Sequence, residues 1–189
     1  MPKEIVLIGR SNVGKSTLFR ELTGKKVKIG RRPGITREPM KVKMGNAFYV
    51  DMPGFGFMRN FPGQERERIK DFILDYFEQN QDNILLAIHV IDASSFTNIA
   101  ERWGCRGEVT IEIELFDFLI NLGLDVVLAA NKMDRIANPD YALDAIVEKL
   151  GMLPPWKQWL DRVAPISAKF GEIEPLKKII NSKLQSVHN

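Results

Sequence analysis

Near its amino terminus the chain reads Gly9-Arg10-Ser11-Asn12-Val13-Gly14-Lys15-Ser16, which satisfies G-x-x-x-x-G-K-[ST] at every fixed position. The apolar run 5–8 before this stretch predicts a strand. The apolar spacing after it predicts a helix that ends at Gly24. Because a P-loop requires a strand, a loop and a helix in this order, the context predicts a phosphate-binding loop.

The residue types of this loop suit a triphosphate. Gly9 and Gly14 have no Cβ, so successive backbone N–H groups can close around phosphate oxygens. The helix that begins near Lys15 adds the positive end of its dipole. We expect Lys15 to contact the β- and γ-phosphates and the Ser16 hydroxyl to coordinate a bridging magnesium ion. The predicted nucleotide contacts from this stretch are Gly9, Arg10, Ser11, Asn12, Val13, Gly14, Lys15, Ser16 and Thr17.

Length and composition predict one globular domain. The 189 residues are 44% hydrophobic, which is enough for a single buried core. No apolar run approaches the roughly 20 residues that span a bilayer, and the charged residues Lys3 and Glu4 lead directly into the first strand. We therefore expect a cytoplasmic monomer without a membrane span. Cys105 is the only cysteine, which excludes an internal disulfide, and we assign it no role.

Positive charge is concentrated in one segment of the chain. The net charge is +3, yet residues 25–43 contain eight basic residues and one acidic residue. A basic patch beside a phosphate site suggests a nucleic-acid partner as well as the nucleotide. A solvated loop without a partner is the alternative interpretation.

Residues 25–39 form a predicted loop, the basic switch loop, which contains Arg32-Pro33-Gly34-Ile35-Thr36-Arg37. Loops of this length in a compact domain are usually functional or disordered. If the loop folds over a bound triphosphate, the Thr36 hydroxyl can complete the magnesium shell, and loss of the γ-phosphate would release the loop. An ordinary loop threonine is the alternative. The predicted contacts from this loop are Gly34, Ile35 and Thr36.

A second motif follows a predicted hairpin. Strands 40–44 and 47–50 flank Gly45-Asn46, a plausible two-residue turn. The second strand leads into Asp51-Met52-Pro53-Gly54, the D-x-x-G pattern of a magnesium-side aspartate, in which the Gly54 amide can meet the γ-phosphate. This pattern alone is weak. At the end of a strand and downstream of a P-loop it becomes specific.

A third motif selects the base. The predicted strand 126–130 leads into Asn131-Lys132-Met133-Asp134. A fixed carboxylate on Asp134 can accept hydrogen bonds from both the N1–H and the 2-amino group of guanine, and adenine offers neither donor. Asn131 can bond the base edge and tie this loop to the P-loop, while the Lys132 stem can lie along the purine. Farther on, Ser167-Ala168-Lys169 can offer a backbone amide to the guanine carbonyl oxygen.

The remaining segments predict the elements around the site. Residues 65–79 have the apolar spacing of a helix, and 84–91 predict a central strand in which His89 is a packed core residue. Residues 93–107 have no clear period and are interpreted as a surface excursion. The aromatic rings of Phe96 and Trp103 are expected to fold back on the domain, and anchors for a partner are the alternative. Further apolar patterns predict a helix over 111–122, a strand over 163–166 and a helix over 173–184, and Trp156 and Trp159 are expected to pack.

The ordered motifs resemble those of the EngB (YihA) family, in the Era-like branch of the P-loop GTPases. Three details carry the resemblance: the exact form of 9–16, Arg-Pro-Gly-Ile-Thr at 32–36 and Asp-Met-Pro-Gly-Phe-Gly-Phe at 51–57. The resemblance covers nearly the whole chain. It implies a Ras-like, doubly wound α/β fold with a mostly parallel six-stranded sheet and helices on both faces. It also implies binding of GTP and GDP, magnesium-dependent GTP hydrolysis as a molecular switch, a role in assembling the large ribosomal subunit, and an association with cell division and septation. The basic switch loop is the predicted contact with the large subunit and its rRNA.

Two departures from the family pattern are visible. Segment 93–107 is longer than the connection expected in bacterial members, so partner contacts there cannot be transferred. Asn131 stands where many members have threonine, which leaves guanine selectivity with Asp134.

Phe55 occupies the position at which Ras-type GTPases place the glutamine that orients the attacking water. A phenyl ring cannot orient water, so we expect slow intrinsic hydrolysis. Asn12 matches an asparagine that ligates a monovalent cation in related potassium-activated GTPases, which makes K⁺ a candidate cofactor. The catalytic candidates are Lys15, Thr36, Gly54 and Asn12, and the candidate magnesium ligands are Ser16, Thr36 and Asp51.

Other classes of protein remain as alternatives. A guanine-nucleotide-sensing module with negligible turnover shares every motif and differs only in rate. A P-loop small-molecule kinase would not be expected to carry Asn131 to Asp134. The GTPase domain of a membrane transporter is disfavoured because no apolar run is long enough to span a membrane.

Overall fold

The computed structural model describes residues 3–25, 39–55 and 63–186, with the side chains of 63–66 excepted. Six strands form one sheet in the order β2-β3-β1-β4-β5-β6. Only β2 is antiparallel to its neighbour. The strands are β1 (Lys3–Gly9), β2 (Met40–Met44), β3 (Ala47–Asp51), β4 (Ile84–Asp92), β5 (Val126–Asn131) and β6 (Val163–Pro165). The described helices are α1 (Lys15–Thr23), α2 (Gly63–Asn80), α3 (Phe96–Gly104), α4 (Ile111–Asn121), α5 (Pro139–Lys149) and α6 (Glu174–Ser186).

Helices cover both faces of the sheet, as the sequence predicts. Successive side chains of β1 point to opposite faces of the sheet, so the core has two halves. Val6 and Ile8 pack with α2, α4 and α5 on one face. Ile5 and Leu7 pack with α1 and α6 on the other face. Strands buried on both faces read as continuous apolar runs, which explains the uninterrupted pattern of β4. The predicted Ras-like doubly wound fold is confirmed.

The P-loop leaves the sheet at the point where the strand order reverses. Strand β1 lies between β3 and β4 in the sheet, and both neighbours are parallel to it. In doubly wound sheets, ligands bind in the crevice at the carboxyl ends of the strands at such a switch point. The topology therefore opens a crevice where β1, β3, β4 and β5 end.

Most element predictions from the sequence are confirmed, including the β2–β3 hairpin and the glycine that ends α1. The interpretation of 93–107 as aperiodic is wrong, because Phe96–Gly104 is the helix α3. Only Phe96 and Ala100 of this helix are buried, one turn apart, so the apolar repeat is too short to be recognised. The Phe96 ring packs in the core as expected, whereas Trp103 is 40% exposed and does not fold back.

His89 is a buried histidine of β4, and neither of its ring nitrogens has a hydrogen-bond partner among the residues that the structure describes. Its ring stacks on that of Phe116 in α4, with the centroids 6.2 Å apart. Burial lowers the pKa of His89 from 6.5 to about 4, since the imidazolium would lose its hydration. The side chain is therefore a neutral core residue near pH 7, as the sequence predicts.

This histidine makes the fold sensitive to acid. In the unfolded chain His89 is protonated below pH 6.5, whereas in the folded chain it is protonated only below about pH 4. The free energy of unfolding therefore falls as pH falls from 6.5 to about 4. We expect a loss of about 2 kcal/mol between pH 7.5 and pH 5, measured by urea unfolding. The variant His89→Leu retains every other titrating group and should lose less over the same interval. Equal losses in the two proteins would contradict the prediction.

Candidate nucleotide site

The P-loop backbone has a shape that glycine alone accommodates at two positions. Gly14 has φ of +96°, in the left-handed region, and a Cβ there would lie 2.2 Å from Asn131 Nδ2. A Cβ on Gly9 would lie 2.4 Å from the carbonyl oxygen of Val90. Asn12 also has a positive φ, 69°. The loop therefore lies tightly against β4 and the Asn131 side chain before α1 begins at Lys15.

Lys15 joins the P-loop to the D-x-x-G motif. Its ammonium group forms an ion pair with Asp51 Oδ1 and donates a hydrogen bond to the Met52 carbonyl oxygen. The side chains of Lys15 and Asp51 are only 7% and 9% exposed. Two charged residues that lie 36 positions apart in sequence thus meet in one buried place. Ser16 and Thr17 follow in the first turn of α1, and both are half-buried.

The backbone of the D-x-x-G motif lies against the P-loop. The Ser11 N–H donates to the Phe55 carbonyl oxygen over 2.7 Å, and Ser11 Oγ donates to the Gly54 carbonyl oxygen over 3.2 Å. A Cβ on Gly54 would lie 3.0 Å from Ser11 Oγ, so the two loops are in close contact. Pro53 is buried, and the ring of Phe55 packs in the core.

Asn131 holds three loops together. Its side-chain Nδ2 donates to the Val13 carbonyl oxygen over 2.7 Å, which confirms the predicted tie to the P-loop. Its Oδ1 accepts a hydrogen bond from the Ala168 N–H over 3.0 Å. The side chain is buried. Both of its hydrogen bonds are made to backbone groups. A short polar side chain therefore sets the distance between the loops that follow β1, β5 and β6.

Lys132 is a second contact between the loop after β5 and the P-loop. Its Nζ donates to the Asn12 carbonyl oxygen over 2.7 Å and forms an ion pair with Asp92 Oδ2 over 2.6 Å. Burial alone would raise the pKa of Asp92, but hydrogen bonds from Lys132 and Ser94 outweigh it and lower this pKa. The Lys132 ammonium group is thus held by two partners.

Asp134 stands beside these loops with its carboxylate 22% exposed. The nearest charged partner given by the structure is Arg135, whose Nε lies 4.0 Å from Asp134 Oδ2. The Met133 N–H donates to the Ile166 carbonyl oxygen over 3.2 Å, which anchors the turn that carries Asp134. Ser167 is buried, and the ammonium group of Lys169 lies 5.3 Å from the ring centroid of Phe170. The turn that carries Asp134 is thus anchored through its backbone, and the Asp134 side chain is partly exposed.

Comparisons with known proteins agree with this geometry. The profile of the family described as 50S ribosome-binding GTPase matches residues 4–132. A probable GTP-binding protein EngB of Methanopyrus kandleri is 53% identical over 89% of this chain and 85% of its own length. The chain belongs to the EngB family. Membership makes this EngB-family chain a GTP-binding protein and a P-loop GTPase.

Two further relatives extend the match of this EngB-family chain. A probable EngB of Methanosarcina barkeri is 43% identical over 97% of this chain and 89% of its own length. A crystal structure of a probable GTP-binding protein EngB superposes with a TM-score of 0.88 at 42% identity, covering 97% of this chain and 99% of that one. The fold and the family are therefore established together. Within the described ranges, no helix is both long enough and apolar enough to cross a membrane.

Two contacts of this EngB-family site escaped the sequence analysis. Arg10 Nη1 donates to Glu112 Oε1 of α4 over 3.3 Å, and Asp92 is the partner of Lys132. Asp92 could have been predicted as a site residue from the sequence, because an acidic residue at the end of an apolar central strand lies at the ligand-binding edge of the sheet. Glu112 had none, since it lies 102 residues from Arg10 in a helix whose pattern indicates only packing.

Gly34, Ile35 and Thr36 lie outside the described residues. The described site therefore combines the P-loop, the D-x-x-G motif, Asn131 to Asp134 and Ser167 to Lys169. These four parts come from separate regions of the sequence and are joined by the hydrogen bonds given above.

Proposed function

We propose that this protein is a GTP-driven switch that hydrolyses GTP to GDP and acts on the large ribosomal subunit during its assembly, with normal cell division depending on that step. The observation that carries the proposal is the position of Asn131. Its side chain holds the P-loop and the Ser167 to Lys169 loop beside the turn of Asp134. Such an arrangement can select the base and bind the triphosphate of the same nucleotide.

The P-loop and the switch residues contact the phosphates. Backbone N–H groups of the loop bind the phosphate oxygens, assisted by the positive end of the α1 dipole. Lys15 brings its charge to the β- and γ-phosphates, and the Gly54 amide meets the γ-phosphate. The Lys15 ammonium group is held by Asp51 and Met52 at the mouth of this loop. The phosphate contacts are Gly9, Arg10, Ser11, Asn12, Val13, Gly14, Lys15, Ser16, Thr17, Gly34, Ile35, Thr36, Asp51, Met52, Pro53 and Gly54.

The oxygen donors near Lys15 fit a magnesium ion. Among the residues given by the structure, no group of three or more His, Cys, Asp or Glu could hold a metal by itself. A hydroxyl on Ser16 and a carboxylate on Asp51 are the few hard ligands that suffice when phosphate and water oxygens complete the shell. Ser16, Asp51 and Thr36 would hold the ion, which supplies positive charge to the phosphate oxygens during hydrolysis.

The other end of the site selects guanine. Asp134 accepts hydrogen bonds from N1–H and the 2-amino group, and the Lys132 stem lies along the purine. Lys132 is suited to this because its ion pair with Asp92 and its bond to Asn12 leave it little freedom. Asn131, Met133, Ser167, Ala168 and Lys169 complete the base contacts.

Hydrolysis without a partner is slow and is assisted by K⁺. The Phe55 ring lies in the core and offers no group that orients water. The Asn12 side chain is exposed and makes no hydrogen bond within the described part of the chain, so it is available to a monovalent cation. We expect single-turnover GTP hydrolysis to be about tenfold faster in KCl than in NaCl, because the cation offsets charge between the β- and γ-phosphates. Equal rates in the two salts would contradict the role of K⁺.

A ribosomal partner is supported by charge and by family. Lys25 and Lys43 are exposed at the two ends of the basic segment that includes the switch loop. The family profile that the chain matches is described as ribosome-binding. Phosphate contacts of this kind steer a protein to RNA and weaken steeply with salt. The chain is proposed to act as a monomer in the cytoplasm.

Co-sedimentation with purified ribosomal subunits tests this function. We expect binding to large subunits with a GTP analogue, weaker binding with GDP, and steep loss of binding as salt rises. The double variant Lys25→Glu/Lys43→Glu should bind less, and Lys178→Glu on α6 is the matched control. Equal binding in the two nucleotide states would overturn the ribosomal switch. Turnover measured with and without subunits then separates a GTPase from a module that only senses guanine nucleotides.

A further inference from the structure

A second recess lies outside the nucleotide site, between α2 and α4. It has a volume of about 510 Å³, within the range of roughly 300 to 1,000 Å³ that is common for pockets that bury a ligand. Its walls are Phe55, Ile69, Ile73, Leu74, Ile111, Leu115 and Phe118, with Glu67, Lys70 and Glu114 around the opening. We call this recess the α2–α4 groove. Its interior is apolar, and its charges are confined to the rim.

The groove has the repeat of a helix on both sides. The apolar α2 residues that line it are Ile69, Ile73 and Leu74, and the apolar α4 residues are Ile111, Leu115 and Phe118. The α4 row spans two helical turns, about 10 Å at 1.5 Å per residue, and the α2 row spans more than one turn. An apolar row of two turns matches the i, i+3 or i+4, i+7 anchors of an amphipathic helix laid into a groove between helices. The geometry therefore favours a helical peptide over an extended one.

The charge of the rim selects the occupant. Helix α4 reads Ile-Glu-Ile-Glu-Leu-Phe-Asp-Phe-Leu-Ile-Asn and contains no basic residue. Glu114 and Asp117 are exposed on its outer side, one turn apart. On the α2 side, the exposed acids Glu67 and Asp71 are balanced by the exposed Arg68 and Lys70, so the excess of acid comes from α4. In a chain whose net charge is +3, this face carries an excess of acid and complements a basic partner.

We propose that the α2–α4 groove docks a basic amphipathic helix of a partner protein, with its apolar face in the groove and its lysine or arginine residues against Glu114 and Asp117. The proposal concerns a surface separate from the nucleotide contacts and does not rest on GTP hydrolysis.

The groove is connected to the P-loop at two points. Phe55 lines it and accepts the Ser11 N–H through its carbonyl oxygen. Arg10 of the P-loop binds Glu112, which stands between the groove residues Ile111 and Glu114 on α4. A helix in the groove would press on both contacts. The docking surface is thus placed where a partner can bias the phosphate-binding loop.

Three synthetic peptides of about 18 residues, five helical turns, test the proposal. The first has leucines on one face and lysines on the other, the second has glutamates in place of the lysines, and the third has the composition of the first in an order without an apolar face. Binding to the full-length chain is followed by fluorescence anisotropy at low salt. We expect the first peptide to bind about tenfold more tightly than either of the others.

Matched variants locate the binding. Glu114→Lys should weaken the lysine peptide about fivefold and strengthen the glutamate peptide, whereas Glu148→Lys on the exposed side of α5 should change neither. Leu74→Asp should abolish binding, because it places a charge in the apolar wall. Leu74 is half-buried and does not belong to the core clusters, so this variant should stay folded, as far-ultraviolet circular dichroism will verify.

Four results would overturn the proposal. The first is equal binding of the scrambled lysine peptide, which would indicate charge alone. The second is binding that Leu74→Asp leaves unchanged, and the third is no binding of any peptide. The fourth is a concentration-dependent dimer in sedimentation that Leu74→Asp abolishes, which would assign the groove to a second copy of this chain.

Discussion

Replacing Asp134 by asparagine is expected to lower the affinity for GTP by about 10³- to 10⁴-fold. The carboxylate would accept two hydrogen bonds from guanine, whereas the amide accepts one and turns an N–H₂ group toward the 2-amino group. The same amide can donate to the carbonyl oxygen at C2 of xanthine. The variant should therefore bind xanthosine triphosphate more tightly than GTP, a reversal that calorimetry or competition against a fluorescent nucleotide measures directly.

Folding should be unaffected by this change. The Asp134 carboxylate is 22% exposed, and its ion pair with Arg135 is long, at 4.0 Å. Such pairs contribute at most about 1 kcal/mol, so a loss of GTP binding could not be ascribed to unfolding. Asp161→Asn makes the same chemical change at an exposed position and should leave both nucleotides unaffected. If Asp134→Asn retained its preference for GTP, base selection would have to lie elsewhere.

Replacing Asn131 by alanine is expected to destabilise the fold by about 4 kcal/mol, because two buried backbone groups lose their partners. The Val13 carbonyl oxygen and the Ala168 N–H are bonded to this side chain at 2.7 and 3.0 Å. Urea unfolding measures the loss. Affinity for GDP should fall with stability, since the P-loop and the loop after β6 would no longer be held at a set distance.

Two further variants test the origin of this effect. Asn131→Asp preserves the acceptor for Ala168 but removes the donor to Val13, so its cost should exceed that of losing one ordinary hydrogen bond, about 1 kcal/mol. Asn121→Ala changes the exposed last residue of α4 and should cost under about 0.5 kcal/mol. A cost within 1 kcal/mol for Asn131→Ala would mean that the three loops are held together by other contacts.

Much of the fold was predictable because its signals are local. The strand before Gly9, the helix after Lys15 and the β2–β3 hairpin each follow from a few adjacent residues. Helix α3 was missed because its buried face contains only Phe96 and Ala100. A pattern that short carries too little periodicity to be distinguished from a loop.

The sequence predicted which residues form the site better than it predicted the contacts between them. Asn131 was expected to reach the P-loop and does so, yet its second bond, to the Ala168 N–H, was not anticipated. The ion pairs of Lys132 with Asp92 and of Arg10 with Glu112 were not foreseen either. Each of them joins residues 40 or more positions apart, and no sequence pattern links the two partners.

By itself the sequence determined which chemistry the chain carries: a phosphate-binding loop, a carboxylate for the base, and strands and helices in the order of a doubly wound sheet. These are properties of residue type and of spacing along the chain. The tertiary structure alone decided which charges neutralise each other and that α2 and α4 enclose an apolar groove with an acidic rim. The physical reason is that ion pairs and cavities depend on distances in space, which the parallel strand order sets only once the whole sheet has formed.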